Sequence, residues 1–199
     1  MSRKQLARLA LLSCLATASF AQAADDRGGY MGGALGTFDY SEPSDFLFAV
    51  SDNTTQYQLF GGYRVSNHFA VEFGWARTSD VKSSTTLFVQ GLGPTQFDIS
   101  QSYDIYALRA IGFLPFDRVS LFGGVGYHSA ALIGDVNVPG IGNVAAVKDH
   151  IHGSTAVLGV QHDFKLDLKS FSIRGDYTWY DFGDGIDASG FTVGFLFRF

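Results

Sequence analysis

Residues Gly190-Phe191-Thr192-Val193-Gly194-Phe195-Leu196-Phe197-Arg198-Phe199 decide how this chain reads. Phe191, Val193, Phe195, Phe197 and Phe199 alternate with Thr192, Gly194, Leu196 and Arg198. Successive side chains of a strand point to opposite sides, so a period of two marks a strand with two different faces. One face here is almost wholly aromatic. A strand whose outer face meets lipid and whose inner face meets a polar lumen needs this pattern. The stretch therefore predicts a strand in an outer membrane.

The other end of the chain agrees. Arg3, Lys4 and Arg8 give a basic start, Leu9 to Ala18 is a short apolar run, and Ala21-Gln22-Ala23 is an A-x-A cleavage pattern. Residues 1–23 read as a secretory signal peptide. The run is far shorter than the ~20 residues of a spanning helix. Leu11-Leu12-Ser13-Cys14 is a loose lipobox, interrupted upstream by Arg8. Cys14 is the single cysteine, so residues 24–199 carry no thiol, disulfide or Cys-ligated metal. Removing Arg3, Lys4 and Arg8 takes the net charge from −5 to −8. That balance argues against nucleic acid as a partner.

Residues 24–199 contain no linker, low-complexity segment or transmembrane-helix-like run and fit one domain. Eight strands are predicted, starting with Gly29–Asp39, whose facing is ambiguous. The second, Thr55–Val65, sets Tyr57, Leu59 and Tyr63 against Gln56, Gln58 and Arg64. The third is the cleanest, with Phe69, Val71, Phe73 and Trp75 against Ala70, Glu72, Gly74 and Ala76. The fourth, Ser102–Leu114, sets Tyr106, Leu108 and Ala110 against Ile105, Ala107 and Arg109. The fifth, Val119–Ala130, has Leu121, Val125 and Tyr127 outward. The sixth, Ser154–Phe164, has Ala156, Leu158 and Val160 outward and Thr155 and Gln161 inward. The seventh sets Phe171, Ile173, Tyr177 and Trp179 against Ser172, Arg174, Asp176 and Thr178; the terminal stretch is the eighth.

Short connections fall at Ser66-Asn67, Phe116-Asp117 and Lys165-Leu166-Asp167. Long loops are expected over Ser41–Asn53, Val81–Phe97, Ile133–Gly153 and Asp181–Ser189. Short turns on one side and long loops on the other are the layout of a membrane barrel, with the short turns periplasmic. Lipid cannot hydrogen-bond a sheet edge, so the sheet must close. The expected fold is an all-β, eight-stranded antiparallel up-and-down transmembrane β-barrel. Aromatics near strand ends, including Tyr57, Trp75, Tyr127, Phe171 and Trp179, are candidates for interfacial girdles.

Three stretches resemble the transmembrane domain of the outer membrane protein A family. They are Phe60-Gly61-Gly62-Tyr63-Arg64-Val65 with Phe69-Ala70-Val71-Glu72-Phe73-Gly74, then Arg174-Gly175-Asp176-Tyr177-Thr178-Trp179, and the alternating end at Phe199. The resemblance implies a lumenal pair of Glu72 with Arg174. It also implies that Phe195, Phe197 and Phe199 belong to a signal read by the outer-membrane assembly machinery. The alternation independently puts Glu72, Arg109, Arg174 and Asp176 on non-lipid faces, where charge belongs. Arg109 and Asp176 are expected to extend the network. The pair reads either as a gate or as a static plug, and a filled eight-stranded interior favours the plug. The family's acidic residue on the sixth strand is replaced here by Gln161.

Catalysis is not expected. His152-Gly153-Ser154 and Tyr127-His128-Ser129 offer a His near a Ser, as in lipid A-modifying barrels, but an orienting acid would have to come from Asp135 or Asp149 through a folded-back loop. Asp149, His150 and His152 are too few ligands for a metal, and no glycine-rich stretch forms a phosphate cradle, so no metal or cofactor is expected. The expected role is structural and surface-displaying in a Gram-negative-type outer membrane, with weak narrow-pore activity. The alternative is an adhesin acting through its loops on a host or environmental surface ligand. Outer-membrane lipids and lipopolysaccharide are the expected surroundings.

Overall fold

The computed structural model describes residues 27–41, 52–89, 93–166, 169–183 and 186–199. The signal peptide expected over residues 1–23 lies outside them, as does most of the first long loop. The described residues form strands β1 (Gly28–Ser41), β2 (Asp52–Ser66), β3 (Phe69–Thr78), β4 (Val81–Val89), β5 (Gly93–Phe116), β6 (Val119–Val138), β7 (Gly142–Leu166), β8 (Lys169–Gly183) and β9 (Ile186–Arg198). All pairings are antiparallel, and β1 pairs with both β2 and β9, so the sheet closes on itself.

The extra strand is a continuation. Both β3 and β4 pair with β5, with Arg77 opposite Asp104 and then Val81 opposite Gln101. Thr78, Ser79 and Asp80 thus face only Ser102 and Tyr103, a one-residue bulge that breaks the third strand in two. The ring has the expected eight staves.

The register can be followed around the ring from Tyr30. Its lateral partners run through Gly62, Glu72, Arg109, Gly126, Thr155, Tyr180 and Ala188, and return to β1 at Tyr40. The path comes back ten residues higher, a stagger that tilts the strands by roughly 40–45° in an eight-stranded barrel.

This register lines up the outer face. Tyr57, Trp75, Tyr106, Tyr127, Trp179 and Phe191 fall at one level, and all but Trp75 are exposed large apolar groups. Phe116, Phe164, Phe197 and Phe199 are exposed near the other end. Leu59, Phe73, Leu108, Val125, Leu158 and Val193 fill the exposed band between them. Two aromatic rows bounding an apolar belt are the girdles of a membrane-spanning barrel. The ambiguous first strand resolves with Tyr30, Ala34, Phe38 and Tyr40 buried and Met31 and Leu35 exposed.

Short connections lie at 67–68 and 117–118, and the third, expected at Lys165-Leu166-Asp167, falls partly outside the described residues, with β7 running to Leu166 and β8 starting at Lys169. Asp117 takes a left-handed φ of 55°, which an Asx side chain tolerates in a tight turn. The long connections differ from expectation. Val81–Phe97, Ile133–Gly153 and Asp181–Ser189 are largely strand. Their Ser, Thr and Gly content resembled loops, yet each segment finds a paired neighbour. A transmembrane strand needs ~9–11 residues. β5, β6 and β7 have 24, 20 and 25, so roughly half of each stands clear of the bilayer. Among the described residues, β7 above Ser154 pairs only with β6.

The core is the lumen. One apolar cluster, including Tyr30, Phe60, Ile111, Phe113, Phe122 and Leu196, fills its periplasmic part. A second, including Phe38, Tyr40, Tyr103, Ile105, Tyr180 and Phe182, fills its outer part.

Candidate functional site

Buried charge sits against the periplasmic cluster. Alternation turns Glu72 of β3, Arg109 of β5, and Arg174 and Asp176 of β8 inward, and each is no more than 2% exposed. Arg174 grips Glu72 with both terminal nitrogens, Nη1 to Oε2 at 2.5 Å and Nη2 to Oε1 at 3.3 Å. Its Nε donates to Asp176 Oδ2 at 2.9 Å. The Tyr30 hydroxyl donates to Glu72 Oε2 at 3.0 Å, and Thr192 donates to Asp176 Oδ1 at 3.1 Å. A bidentate guanidinium–carboxylate pair with its remaining lone pairs satisfied is the arrangement that offsets the cost of burying charge.

The guanidinium also lies over two aromatic rings. The Arg174 carbon lies 4.7 Å from the centroid of Phe60 and 4.3 Å from that of Phe122. Cation–π contact adds attraction where water is excluded. Two glycines make the clamp possible. A Cβ on Gly159 would sit 2.3 Å from Phe122 Cζ, and one on Gly62 would sit 2.6 Å from the Tyr30 hydroxyl. Only bare backbone lets Phe122 lie over Arg174 and Tyr30 reach Glu72.

Arg109 is held more loosely. Its Nη1 lies 3.8 Å from Glu72 Oε1, and its Nη2 donates to the Tyr180 hydroxyl at 3.3 Å. Gln161 is level with Arg174 across the sheet, but its amide donates to Asp163 at 2.6 Å. Asp163 also accepts from Ser172 and from Arg198 Nη2. This second polar group near the periplasmic mouth was missed in the sequence, although the alternation around Phe197 and Phe199 already turns Arg198 inward. Tyr30, Phe60 and Phe122 were missed too. Nothing in sequence order ties them to Arg174.

The remaining candidates lie apart. Phe195, Phe197 and Phe199 are on the lipid face. His152 stacks on Tyr127 with centroids 6.2 Å apart, and the Ser154 hydroxyl is directed at Asp181 at 3.5 Å. His128 is fully buried in the lumen, edge-on to Tyr180 and Phe182. Among the described residues, no three His, Cys, Asp or Glu side chains gather closely enough to hold a metal ion.

A closed ring of girdled strands around a charged, filled lumen defines a small transmembrane barrel of the outer membrane. The chain belongs to the family described as the outer membrane protein beta-barrel domain, which it matches over residues 7–199. No curated protein matches it as a relative. Among solved structures it is similar to Ail, the attachment invasion locus protein of Yersinia pestis, crystallised with the heparin analogue sucrose octasulfate. That likeness has 16% identity and a TM-score of 0.55, over 86% of this chain and 99% of that one. Neisserial surface protein A is similar at 14% identity and a TM-score of 0.55, over 86% and 99%. The N-terminal barrel domain of OprF from Pseudomonas aeruginosa is similar at 11% identity and 0.54, over 87% and 98%. At these identities the likeness speaks for the fold: an eight-stranded outer-membrane barrel.

Proposed function

We propose that the protein is a non-enzymatic surface-display barrel that presents a rigid sheet above the outer leaflet and keeps its lumen shut. The observation that carries this is the height of β5, β6 and β7, which continue as paired strands far beyond what a bilayer requires. A paired sheet holds a recognition surface in fixed geometry at less ordering cost than a mobile loop. The plugged lumen is supported by Arg174, which is tied to two carboxylates and lies over two phenyl rings.

Surface recognition is the specific form of this role. Ail was solved with a sulfated sugar. The outer end of this chain is acidic, with Asp39, Asp80, Asp98, Asp104, Asp135, Asp149, Asp181 and Asp187 outnumbering Arg77, Lys82 and Lys148 among the described residues. Charge complementarity then selects a cationic partner and disfavours a polyanion. In the bilayer the girdles meet lipid and lipopolysaccharide, and the Phe195, Phe197 and Phe199 row serves the assembly machinery. Ser154 turned to Asp181, with His152 stacked elsewhere, supports the non-catalytic reading.

The test is cell-surface binding with the β4–β5 and β6–β7 hairpins cut back to the girdle. Shortening should abolish binding to cationic surfaces while leaving heat-modifiable, folded barrel in the outer membrane. Unchanged binding, tight binding to heparin, or lipid A deacylation by purified protein would each overturn this reading.

A further inference from the structure

Large apolar side chains are exposed all over the wall, where lipid accounts for them. Above the outer girdle, among the described residues, two are exposed: Phe88 of β4 at 81% and Ile141 between β6 and β7 at 65%. On the belt and girdles, the terminal Phe199 apart, exposure reaches 59% at most. Phe88 pairs with Pro94, and twelve residues of β5 separate Pro94 from Tyr106 of the girdle. At ~3.3 Å per residue that is roughly 40 Å of strand, or roughly 28 Å of height at a 45° tilt. The headgroup layer adds only ~5–8 Å to each side of the hydrocarbon. The lipid of the protein's own membrane therefore does not explain these two side chains.

The hairpin ends also differ from the sheet beneath them. Residues 83–97 and 136–147 contain no Asp, Glu, Lys, Arg or His. Asp98 and Asp135 flank these runs, and local hydrogen bonds hold both. Ser84 Oγ and Gln96 Nε2 donate to Asp98, and Asn143 Nδ2 donates to Asp135 Oδ1 at 2.9 Å.

The Ile141 tip is fixed by its backbone. The Ile141 amide donates to the Val138 carbonyl at 3.0 Å, which closes the turn Val138-Pro139-Gly140-Ile141. Gly140 follows Pro139 with a left-handed φ of 87°, as a type II turn requires. An apolar group already held in place loses little freedom on contact.

Two uncharged anchors on one stiff sheet offer no charge for a particular protein surface to match. A bilayer asks only for apolar area. The aspartates below would meet like charge on an anionic bilayer, or on the tips of a second copy, and repulsion disfavours both. A zwitterionic bilayer carries no such penalty, and its choline ammonium groups complement Asp98 and Asp135.

We propose that the β4–β5 and β6–β7 tips dock on an opposing zwitterionic lipid bilayer, with Phe88 and Ile141 as the inserted groups. The inference rests on the surface-display reading and names one surface that the display meets.

The test uses the whole barrel in nanodiscs, with phosphatidylcholine vesicles as the probe. Discs should co-sediment with the vesicles, and Phe88→Ser with Ile141→Ser should lower the bound fraction about fivefold or more while heat-modifiable folding is kept. Adding phosphatidylserine to the vesicles should weaken binding. In a Cys14→Ser chain, Ile141→Cys can carry an environment-sensitive dye. Its emission should shift to the blue on vesicle addition, and brominated acyl chains in the vesicles should quench it. Binding that ignores the two serines, binding strengthened by phosphatidylserine, or a dye that stays in water would overturn the proposal. So would tip-dependent pairing of discs without vesicles, which means a second copy, or tip-dependent cell binding lost when the target cells are shaved with protease, which means a protein. If shortened hairpins still bind cationic surfaces while vesicle binding still needs Phe88 and Ile141, the cationic reading fails alone and the lipid contact stands.

Discussion

Arg174 and Arg109 face the same lumen, are buried to the same degree and share one carboxylate, yet they are held in opposite ways. Arg174 uses all three guanidinium nitrogens on Glu72 and Asp176 and lies over the rings of Phe60 and Phe122. Arg109 makes one bond to Tyr180 and stands off Glu72 at 3.8 Å. Burial alone therefore does not set the worth of a lumenal charge. The geometry of its partners does, because the desolvation cost is similar for both and only one recovers it through short, directed contacts.

The comparison breaks most sharply at Arg174. Replacing it with Gln strands two buried carboxylates and should cost ~3–5 kcal/mol, less if water enters, measured by urea unfolding from lipid. The double change with Glu72→Gln should be milder than either single change. A cycle with no coupling would show that the pair does not meet.

Next comes the support beneath the clamp. Gly159→Ala pushes a methyl group against both Phe122 and the Gly175 carbonyl oxygen and should destabilise by about 1–3 kcal/mol in the same assay, through overpacking. A neutral outcome would mean that both the Phe122 ring and the neighbouring β8 backbone can give way at little cost.

Arg109→Gln should be the mildest lumenal change, about 1 kcal/mol or less, since one long hydrogen bond is lost and orphaned donors leave with it. Its coupling to Glu72 should fall well below that of Arg174. Equal coupling constants would erase the distinction between the two arginines.

The smallest effect lies outside the membrane. Asp98, on the β4–β5 hairpin, accepts hydrogen bonds from Ser84 Oγ and Gln96 Nε2, each at 2.8 Å, and these hold its carboxyl below the ordinary range. A folded value below the unfolded one means these bonds contribute fully above the normal carboxylate range and are lost as pH falls through the depressed value. NMR titration of the Asp98 carboxyl should show that late protonation, and Asp98→Asn should remove the acid response of the hairpin.

Much of the wall was legible before any coordinates. Alternation in β3, β8 and β9 sorted lipid side from lumen side because a strand has only two faces, and a charge on the wrong one is heavily penalised. It also turned Glu72, Arg109, Arg174 and Asp176 inward. Two kinds of error remained. Ser- and Thr-containing stretches such as Val81–Val89 looked like loops, since local composition cannot show that β5 waits alongside as a partner. The Gly-rich β1 could not be faced, because Tyr30 and Met31 differ in environment and not in pattern.

What the sequence determined by itself was the class of structure: two-faced strands, a membrane setting, and charges kept from lipid. These follow from properties that repeat along a strand and need no knowledge of its neighbours. What only the tertiary structure decided was which charges meet. Glu72 and Arg174 are 102 residues apart in the chain, and Phe60, Phe122 and Tyr30 come from three further strands. Their meeting depends on the ten-residue stagger of the closed ring and on glycines at 62 and 159 that clear its path. Stagger is a property of closure, shared by every strand at once, so no single stretch of sequence can carry it.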